Sequence, residues 1–163
     1  MFIIREANKL DISEIAAIYN EAVLNSTATF DTEIKSFENR QEWFINRDEN
    51  LPVIVAEKHG KVVAYASLNK WSEKKAYNIT AEISLYVAPE KRGMGIGNQL
   101  VEIITEIAVG TKLHSIVARI TEGNEQSIHL HKKNGFEVIG VMKKAGMKFG
   151  KILDVTLMQR MLK

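Results

Sequence analysis

The sequence predicts one α/β domain in which helices and strands are layered together, as in α+β folds. Its 163 residues suit a single hydrophobic core. Short apolar runs typical of strands alternate along the chain with apolar residues at helical spacing. No repeat, low-complexity tract or linker divides the chain. Because the two kinds of element are mixed, we expect one layered domain over residues 1–163.

The first half of the chain begins with a strand and contains two helices and a hairpin. The predicted elements are a strand at 2–5, helices starting at 11 and spanning 36–47, and strands at 53–58 and 62–68. Residues 11–14 resemble a capping box, and apolar residues follow at helical spacing. Phe37, Trp43 and Phe44 mark the apolar side of the second helix. His59-Gly60 between two apolar runs predicts a tight hairpin.

The second half alternates strands and helices before two closing strands. The predicted elements are a strand at 81–87, a helix from 96 to Gly110, a strand at 115–121, a helix at 124–133, and strands at 136–142 and 152–161. Pro89 ends the first of these strands. The helix from 96 has one strongly apolar face. The complete order is therefore β-α-α-β-β-β-α-β-α-β-β.

Composition excludes several classes of function. The chain has 22 basic and 20 acidic residues, a balance that gives no broad field for holding nucleic acid. It has no cysteine, which excludes disulfides and thiolate zinc sites and fits a reducing compartment. Charges at Arg5 and Glu6 come too early for a signal peptide, and no apolar run approaches the roughly 20 residues that span a bilayer. We expect a cytoplasmic protein without nucleic-acid or membrane partners.

The most informative segment is a glycine-rich turn between a strand and a helix. Gly93, Gly95 and Gly97 alternate directly before the apolar helix pattern. Glycine lacks Cβ, so backbone N–H groups there can close on a bulky anion. The helix start adds unpaired N–H groups and the positive end of its dipole. The segment therefore predicts a pyrophosphate site for a phosphate-bearing cofactor.

Two common phosphate-binding motifs do not match this turn. A Walker motif requires Lys followed by Ser or Thr after its last glycine, whereas Asn98-Gln99 follow here. The dinucleotide fingerprint requires G-x-G-x-x-G, and here the third glycine comes one residue early. The first mismatch argues against a P-loop site for a nucleoside triphosphate, and the second argues against a Rossmann site for a dinucleotide.

The turn instead reads Arg92-x-x-Gly95-x-Gly97 and follows a strand that ends in Val-x-Pro. This pattern resembles the acetyl-CoA motif of the GNAT superfamily of N-acetyltransferases. A second segment, Asn124 to His131 and then Gly135-Phe136, is also similar to that superfamily. Further matches resemble the phosphinothricin and methionine sulfoximine acetyltransferases; they lie at residues 28–30, 76–77, 80–82, 86–87 and 145–155.

The resemblance implies a GNAT-like acyl-CoA N-acyltransferase fold, with a mixed, largely antiparallel twisted sheet flanked by helices. The sheet would splay between its fourth and fifth strands, and acetyl-CoA would enter that gap. The residues it assigns to the cofactor are Leu85, Tyr86, Val87, Arg92, Gly93, Met94, Gly95, Ile96, Gly97, Asn98 and Asn124. The acceptor pocket would lie beside a homodimer interface.

The same resemblance assigns catalytic roles. Glu82, in a Thr-Ala-Glu run, would remove the ammonium proton directly or through water. His131 would donate to the departing thiolate. Backbone N–H groups of residues 85–87 would stabilise the carbonyl oxygen. Structural explanations remain open, since a carboxylate at a strand start is often solvated, a helix histidine is often structural, and Asn124 could be a helix cap.

The predicted acceptor-binding residues are Phe30, Lys74, Lys75, Tyr77, Glu82 and Lys148. The family often has Arg in the loop where this chain has Lys74-Lys75, and Lys lacks the bidentate fork that binds a carboxylate. Ile152 replaces a bulkier residue of the family. No metal site is expected, because His129 and His131, two residues apart, point to nearly opposite faces of a helix.

The sequence thus predicts acetylation of a small amino-acid-like amine with acetyl-CoA as co-substrate. Two alternatives keep the same fold. The acceptor could be a protein N-terminus or lysine, or the chain could be a non-catalytic acyl-CoA-binding module.

Overall fold

The computed structural model describes all residues 1–163, which form one seven-stranded sheet with helices on both faces. The strands are β1 Ile3–Glu6, β2 Val53–Lys58, β3 Lys61–Lys70, β4 Thr80–Val87, β5 Ser115–Thr121, β6 Glu137–Lys148 and β7 Lys151–Met161. The helices are α1 Ile12–Asn25, α2 Phe37–Ile45, α3 Ile96–Val109 and α4 Glu125–Lys133. The predicted element order is confirmed. None of the helices has the length and apolar character needed to cross a membrane.

The sheet has the strand order β1-β2-β3-β4-β5-β7-β6. All neighbouring pairs are antiparallel except β4 and β5, which run parallel. The mixed, largely antiparallel sheet that was expected is therefore confirmed. The β4–β5 pairing extends only from Thr80↔Ser115 to Glu82↔Val117. Beyond that point residues 83–87 and 118–121 have no partners across the pair, so the sheet opens into a gap.

Successive residues of β2 pack into two different core clusters, one on each face of the sheet. Ile54 and Ala56 belong to the core cluster that contains α3, whereas Val53 and Val55 belong to the cluster that contains α1. In β3 every residue from 62 to 68 is buried. Strands covered on both faces carry continuous apolar runs, which matches the sequence pattern here.

The first helix does not begin with the predicted capping box. Asp11 makes no side-chain cap bond to α1, and its carboxylate instead accepts from the backbone N–H of Asn8 at 2.8 Å. Asn8 caps a short 3-10 turn at Lys9–Asp11. Arg5 holds both carboxylate oxygens of Asp11, at 2.8 and 2.9 Å, which lowers the pKa of Asp11. The observed capping box is formed by Asn8 and Asp11, three residues before the predicted one. Asp11 is its last residue and not its first, because Arg5 and the N–H of Asn8 engage the Asp11 carboxylate.

The second helix is shorter than predicted. Ser36 caps it by accepting from the N–H of Asn39 at 3.1 Å, and it ends at Ile45. Trp43 and Phe44 pack against the cluster around α1, as expected. Phe37 does not, because it lies in the first turn and is 44% exposed.

The closing hairpin is longer than predicted. Strand β6 continues past Met142 to Lys148, across a register shift between Met142 and Gly146. Lys144 has a φ of 51° within this irregular segment. Residues 143–145 read Lys-Lys-Ala and carry no alternating strand pattern, so the extension of β6 was not predictable from periodicity. The earlier hairpin at His59-Gly60 is confirmed, with both residues at positive φ.

Candidate active site

The gap between β4 and β5 opens into a cavity of about 910 Å³. It extends from the segment between α1 and α2, across β4, to β5 and the first turns of α4. The predicted site residues that line it are Phe30, Glu82, Leu85, Tyr86, Asn124 and His131. The splay of the sheet therefore brings together residues that are far apart in sequence.

The glycine turn presents a row of free backbone donors next to this gap. The N–H groups of residues 93–98 have no hydrogen-bond acceptor in the protein. Gly93 and Gly95 have φ values of 78° and 80°, a conformation that L side chains rarely adopt. Helix α3 begins at the next residue, Ile96, so its dipole points at the same place. Free donors grouped at a helix start suit an anion, and the diphosphate site of the sequence analysis stays a prediction.

Gly97 differs from the other two glycines of the turn. It lies inside the first turn of α3, and a Cβ on it would come within 3.1 Å of Leu130 Cδ1 and 3.3 Å of Leu85 Cδ2. Its role is close packing of α3 between β4 and α4. Nearby, Asn134 Nδ2 donates to Asn98 Oδ1 at 2.9 Å and ties the end of α4 to the start of α3.

The remaining predicted cofactor residues frame the turn. Arg92 donates to the carbonyl of Val87 at 3.2 Å and to Glu21 at 3.4 Å, so it fastens the turn to β4 and α1. Met94 is exposed beside it. Asn124 caps α4 by accepting from the N–H of Ser127 at 3.3 Å and also lines the cavity. Asn124 therefore caps α4 and lines the cavity at the same time.

Glu82 is held by an arginine that the sequence analysis missed. Arg119 Nε and Nη2 lie 2.5 and 2.7 Å from the two carboxylate oxygens of Glu82. The Glu82 side chain is 18% exposed and that of Arg119 is 50% exposed. This pairing raises the pKa of the Arg119 guanidinium. A signal existed, since Arg119 is the one charge inside the apolar run of β5.

His131 is buried and neutral in this arrangement. Its Nδ1 lies 2.7 Å from the carbonyl oxygen of Ser127, and a carbonyl only accepts, so Nδ1 carries the hydrogen. Nε2 has no partner, and since no buried side-chain nitrogen lacks one, solvent reaches it. Burial lowers the pKa of His131. The resting ring is thus a proton acceptor, and it can fill the donor role expected from the sequence only after it has taken up a proton, which burial disfavours.

Acidification should destabilise the protein through His131. The unfolded chain takes up a proton near pH 6.5, whereas the folded ring resists protonation, so stability falls as pH drops below that value. The decline contributed by this group is at most about 1.4 kcal/mol per pH unit. Urea unfolding between pH 7.5 and 5 should therefore show a weaker pH dependence in His131→Gln. Parallel slopes in the two proteins would contradict the assignment.

Lys148 does not line the cavity. It is 4% exposed, and its Nζ donates to the carbonyls of Ser26 and Thr29 at 2.6 and 2.8 Å. Burial lowers its pKa. The lysine therefore fastens the segment that carries Phe30, and it reaches the acceptor pocket only through that segment.

Lys74, Lys75 and Tyr77 are also outside the cavity. They are exposed, on or beside a 3-10 turn at Lys75–Tyr77 between β3 and β4. The loop leaves β3 at Lys70, which does line the cavity. The expected cationic lining is instead supplied by arginines that the sequence analysis missed, from α2, the loop after it and β5: Arg40, Arg47 and Arg119.

Two of these arginines are engaged by neighbours. Arg47 donates to the carbonyls of Leu51 and Leu68 and lies 4.6 Å from the Trp43 ring. Burial lowers its pKa to about 10, so it remains charged at neutral pH. Arg40 lies 4.9 Å from the rings of Tyr19 and Trp43. Aromatic faces and positive charge thus line the side of the cavity away from the glycine turn.

Phe30 depends on a glycine of β6 for its position. A Cβ on Gly146 would lie 2.7 Å from Phe30 Cδ2, closer than real Cβ contacts. We therefore expect Gly146→Ala to displace Phe30 and to raise the acceptor KM by about tenfold, with strain of about 1–3 kcal/mol. Steady-state kinetics would measure this. Gly140→Ala, on the same strand with open space at its Cβ, is the control, and equal effects of both substitutions would contradict the argument.

Comparison with known proteins gives the family of this chain. The model of the acetyltransferase (GNAT) domain matches residues 4–157. A methionine sulfoximine/methionine sulfone acetyltransferase of Pseudomonas aeruginosa is 42% identical over 158 residues, covering 96% of this chain and 92% of the relative. The structure of a phosphinothricin acetyltransferase of Sinorhizobium meliloti in complex with acetyl-CoA has a TM-score of 0.94 and 34% identity, over 98% of this chain and 88% of that one.

A third similar protein carries a different name. The structure of a ribosomal-protein-alanine N-acetyltransferase of Brucella melitensis has a TM-score of 0.94 and 41% identity, over 98% of this chain and 99% of that one. From the domain match and these relatives, the chain belongs to the GNAT acetyltransferase family. It is an N-acetyltransferase that uses acetyl-CoA.

Proposed function

We propose that this GNAT-family enzyme acetylates the primary amine of a small amino-acid-like substrate of the methionine sulfoximine or phosphinothricin type. The observation that carries the proposal is the cavity of about 910 Å³ at the splay of the sheet. Its far side is closed by α2 and the Phe30 segment and is lined by aromatic and cationic groups. Relatives named for methionine sulfoximine and phosphinothricin acetylation support the same substrate class.

The free N–H groups of residues 93–98 would bind the coenzyme A diphosphate. Leu85, Tyr86 and Val87, on the part of β4 that has no β5 partner, would hold the pantetheine arm and the thioester by main-chain bonds. Asn124 would contact the arm from the start of α4. Acetyl-CoA supplies the activated acetyl group, and the chain positions its carbonyl carbon against the amine.

The proposed step begins with the acceptor ammonium, which gives one proton to the Glu82 carboxylate. The amine nitrogen then forms a bond to the acetyl carbon, and backbone N–H groups of β4 stabilise the oxygen as it gains charge. The carbon–sulfur bond breaks and its electron pair stays on sulfur. The nitrogen loses its second proton, which His131 Nε2 accepts and passes to the thiolate. The products are the N-acetyl amine and free coenzyme A, and Glu82 returns its proton to solvent.

Among the predicted acceptor residues, Phe30 and Glu82 would meet the substrate directly. Lys148 would act through the Phe30 segment. Lys74 and Lys75 would contribute from the loop that leaves the cavity at Lys70, as a positively charged approach for an anionic substrate, and Tyr77 would add a neutral aromatic side chain to the same loop.

We also propose a cytoplasmic homodimer. Strand β6 is an edge of the sheet, and its apolar side chains are uncovered, as Val138, Ile139 and Val141 are 45%, 54% and 46% exposed. Uncovered apolar edges of this kind mark interaction surfaces. Sedimentation analysis should show a dimer, and a strictly monomeric enzyme would contradict the proposal.

The substrate is tested by a thiol-release assay with acetyl-CoA and a panel of amines. Methionine sulfoximine, methionine sulfone and phosphinothricin should be acetylated efficiently. Spermidine should react poorly, because it lacks a carboxylate for the cationic lining. Absence of acetyl-CoA-dependent thiol release with every small amine would overturn the proposal.

A protein N-terminus is the second candidate acceptor, favoured by the similarity to a protein named ribosomal-protein-alanine N-acetyltransferase. A hexapeptide with N-terminal alanine in the same panel distinguishes the two. Preference for the peptide over every amino acid would favour this alternative. A non-catalytic acyl-CoA-binding module would bind acetyl-CoA without turnover of any acceptor.

A further inference from the structure

We propose that Arg119 binds the carboxylate of the acceptor and that this binding releases Glu82 to act as the base. The inference rests on the proposed amino-acid substrate and assigns its recognition to a specific side chain. It makes Arg119 a specificity-determining residue.

Without substrate, both oxygens of Glu82 are occupied. Each accepts a hydrogen bond from Arg119, at 2.5 and 2.7 Å. This bidentate pairing uses one lone pair on each carboxylate oxygen and leaves one on each that is directed away from the guanidinium. An ammonium group that approaches Glu82 from the side of the guanidinium therefore reaches the carboxylate only when the pair loosens.

Arg119 has the capacity to take a second anion. Its Nη1 donates to no group in the protein, and its side chain is 50% exposed at the cavity. The guanidinium also lies 5.2 Å from the Trp71 ring. This cation–π contact holds the arginine independently of Glu82, so Arg119 stays in place when the carboxylate leaves it.

The other two cavity arginines are less suited to this role. Arg47 is occupied by main-chain carbonyls of Leu51 and Leu68, and Arg40 donates to Asn39 and stacks on aromatic rings. Neither forms an ion pair with Glu82.

An α-amino acid can be bound through both charged groups only where an anionic and a cationic side chain of the protein are neighbours. Its ammonium and carboxylate groups are attached to the same carbon, so their protein partners must be neighbours. Glu82 and Arg119 form a neighbouring pair of opposite charge within the cavity. A zwitterionic acceptor can insert by exchanging partners, with its carboxylate on Arg119 and its ammonium on Glu82. No charge is then left unpaired in the partly buried site.

The first test compares two acceptors that differ only in the carboxylate, namely methionine sulfone and its carboxamide. Arg119→Ala should raise the KM for methionine sulfone by about tenfold or more, whereas the KM for the carboxamide should change little. Arg119→Lys should recover part of the preference, since it keeps the charge but loses the fork. Lys112→Ala removes an exposed charge outside the cavity and is the control. An unchanged preference in a folded Arg119→Ala enzyme would overturn the proposal.

The second test requires no turnover. In Glu82→Gln, Arg119 loses its competing anion, so calorimetry should show tighter binding of the deaminated analogue of methionine sulfone, which has the carboxylate but no ammonium, than in the unaltered enzyme. The gain should vanish in the double variant with Arg119→Ala. Equal or weaker binding by Glu82→Gln would overturn the role of Arg119. If the unaltered enzyme acetylated neither acceptor, the proposed function would fail on the assay, and these binding measurements would still decide whether Arg119 receives a carboxylate.

Discussion

Glu82→Gln is expected to lower kcat by about 10²–10⁴-fold, the usual range for loss of general-base catalysis. Glutamine keeps the size of the side chain and an oxygen that accepts from Arg119, but it cannot take a proton from the acceptor ammonium. Acetyl-CoA binding should be largely unchanged, because the free N–H groups of residues 93–98 lie at the other end of β4. Steady-state kinetics and calorimetry with acetyl-CoA would measure the two effects separately.

Glu33→Gln is the matched control, because Glu33 is exposed and lies outside the cavity. It should leave both quantities unchanged. A Glu82→Gln enzyme with nearly full kcat would contradict the assignment of the base. In that case Nε2 of His131, which is unprotonated and reached by solvent, would be the remaining proton acceptor among the predicted catalytic residues.

The features that the sequence predicted well are those determined by local chemistry. Glycines at 93 and 95 are required by positive φ, and the apolar face of α3 follows directly, so both the turn and the helix were predictable. The β5 strand was predicted with its observed bounds because a continuous apolar run is typical of a buried strand.

Two charged side chains are engaged by partners outside the element that the sequence predicted for them. Asp11 looked like a helix cap, but Arg5 engages its carboxylate. Lys148 looked like a substrate ligand because it is charged and near a family motif, yet it is buried against carbonyls of residues 26 and 29. The stability gained from these contacts depends on how the elements pack in three dimensions. The periodicity and spacing of residues along the sequence do not report that packing.

The acceptor side of the site was the least predictable part for the same reason. The sequence placed the carboxylate-binding charge on Lys74 and Lys75, guided by the family pattern. The structure places Arg40 and Arg47 in the cavity from α2 and the loop after it, and Arg119 from β5. All three line the cavity that opens where the sheet splays beyond Glu82↔Val117. A lone charge within the apolar β5 run was the one local signal for any of them.

The second large effect is expected at the glycine turn, where Gly95→Val should weaken acetyl-CoA binding by about a hundredfold or more. Gly95 has a φ of 80°, and a β-branched residue is strongly disfavoured there. A left-handed conformation costs an L residue about 1–2 kcal/mol, so the valine variant should rotate the backbone of the turn. Rotation would turn the free N–H groups of residues 93–98 away from a common anion, and calorimetry with acetyl-CoA would detect the loss.

Lost acetyl-CoA affinity in Gly95→Val could come from general destabilisation of the fold or from loss of the N–H donors of residues 93–98. A substitution at Gly60 separates these two causes. Gly60 has a φ of 75° and open space at its Cβ, like Gly95, but it lies in the β2–β3 hairpin. Gly60→Val should therefore lower the free energy of unfolding to a similar extent while leaving the Kd for acetyl-CoA unchanged. If both variants lost cofactor affinity equally, the loss would reflect general destabilisation. If neither did, the main chain of residues 93–98 would not be the diphosphate site.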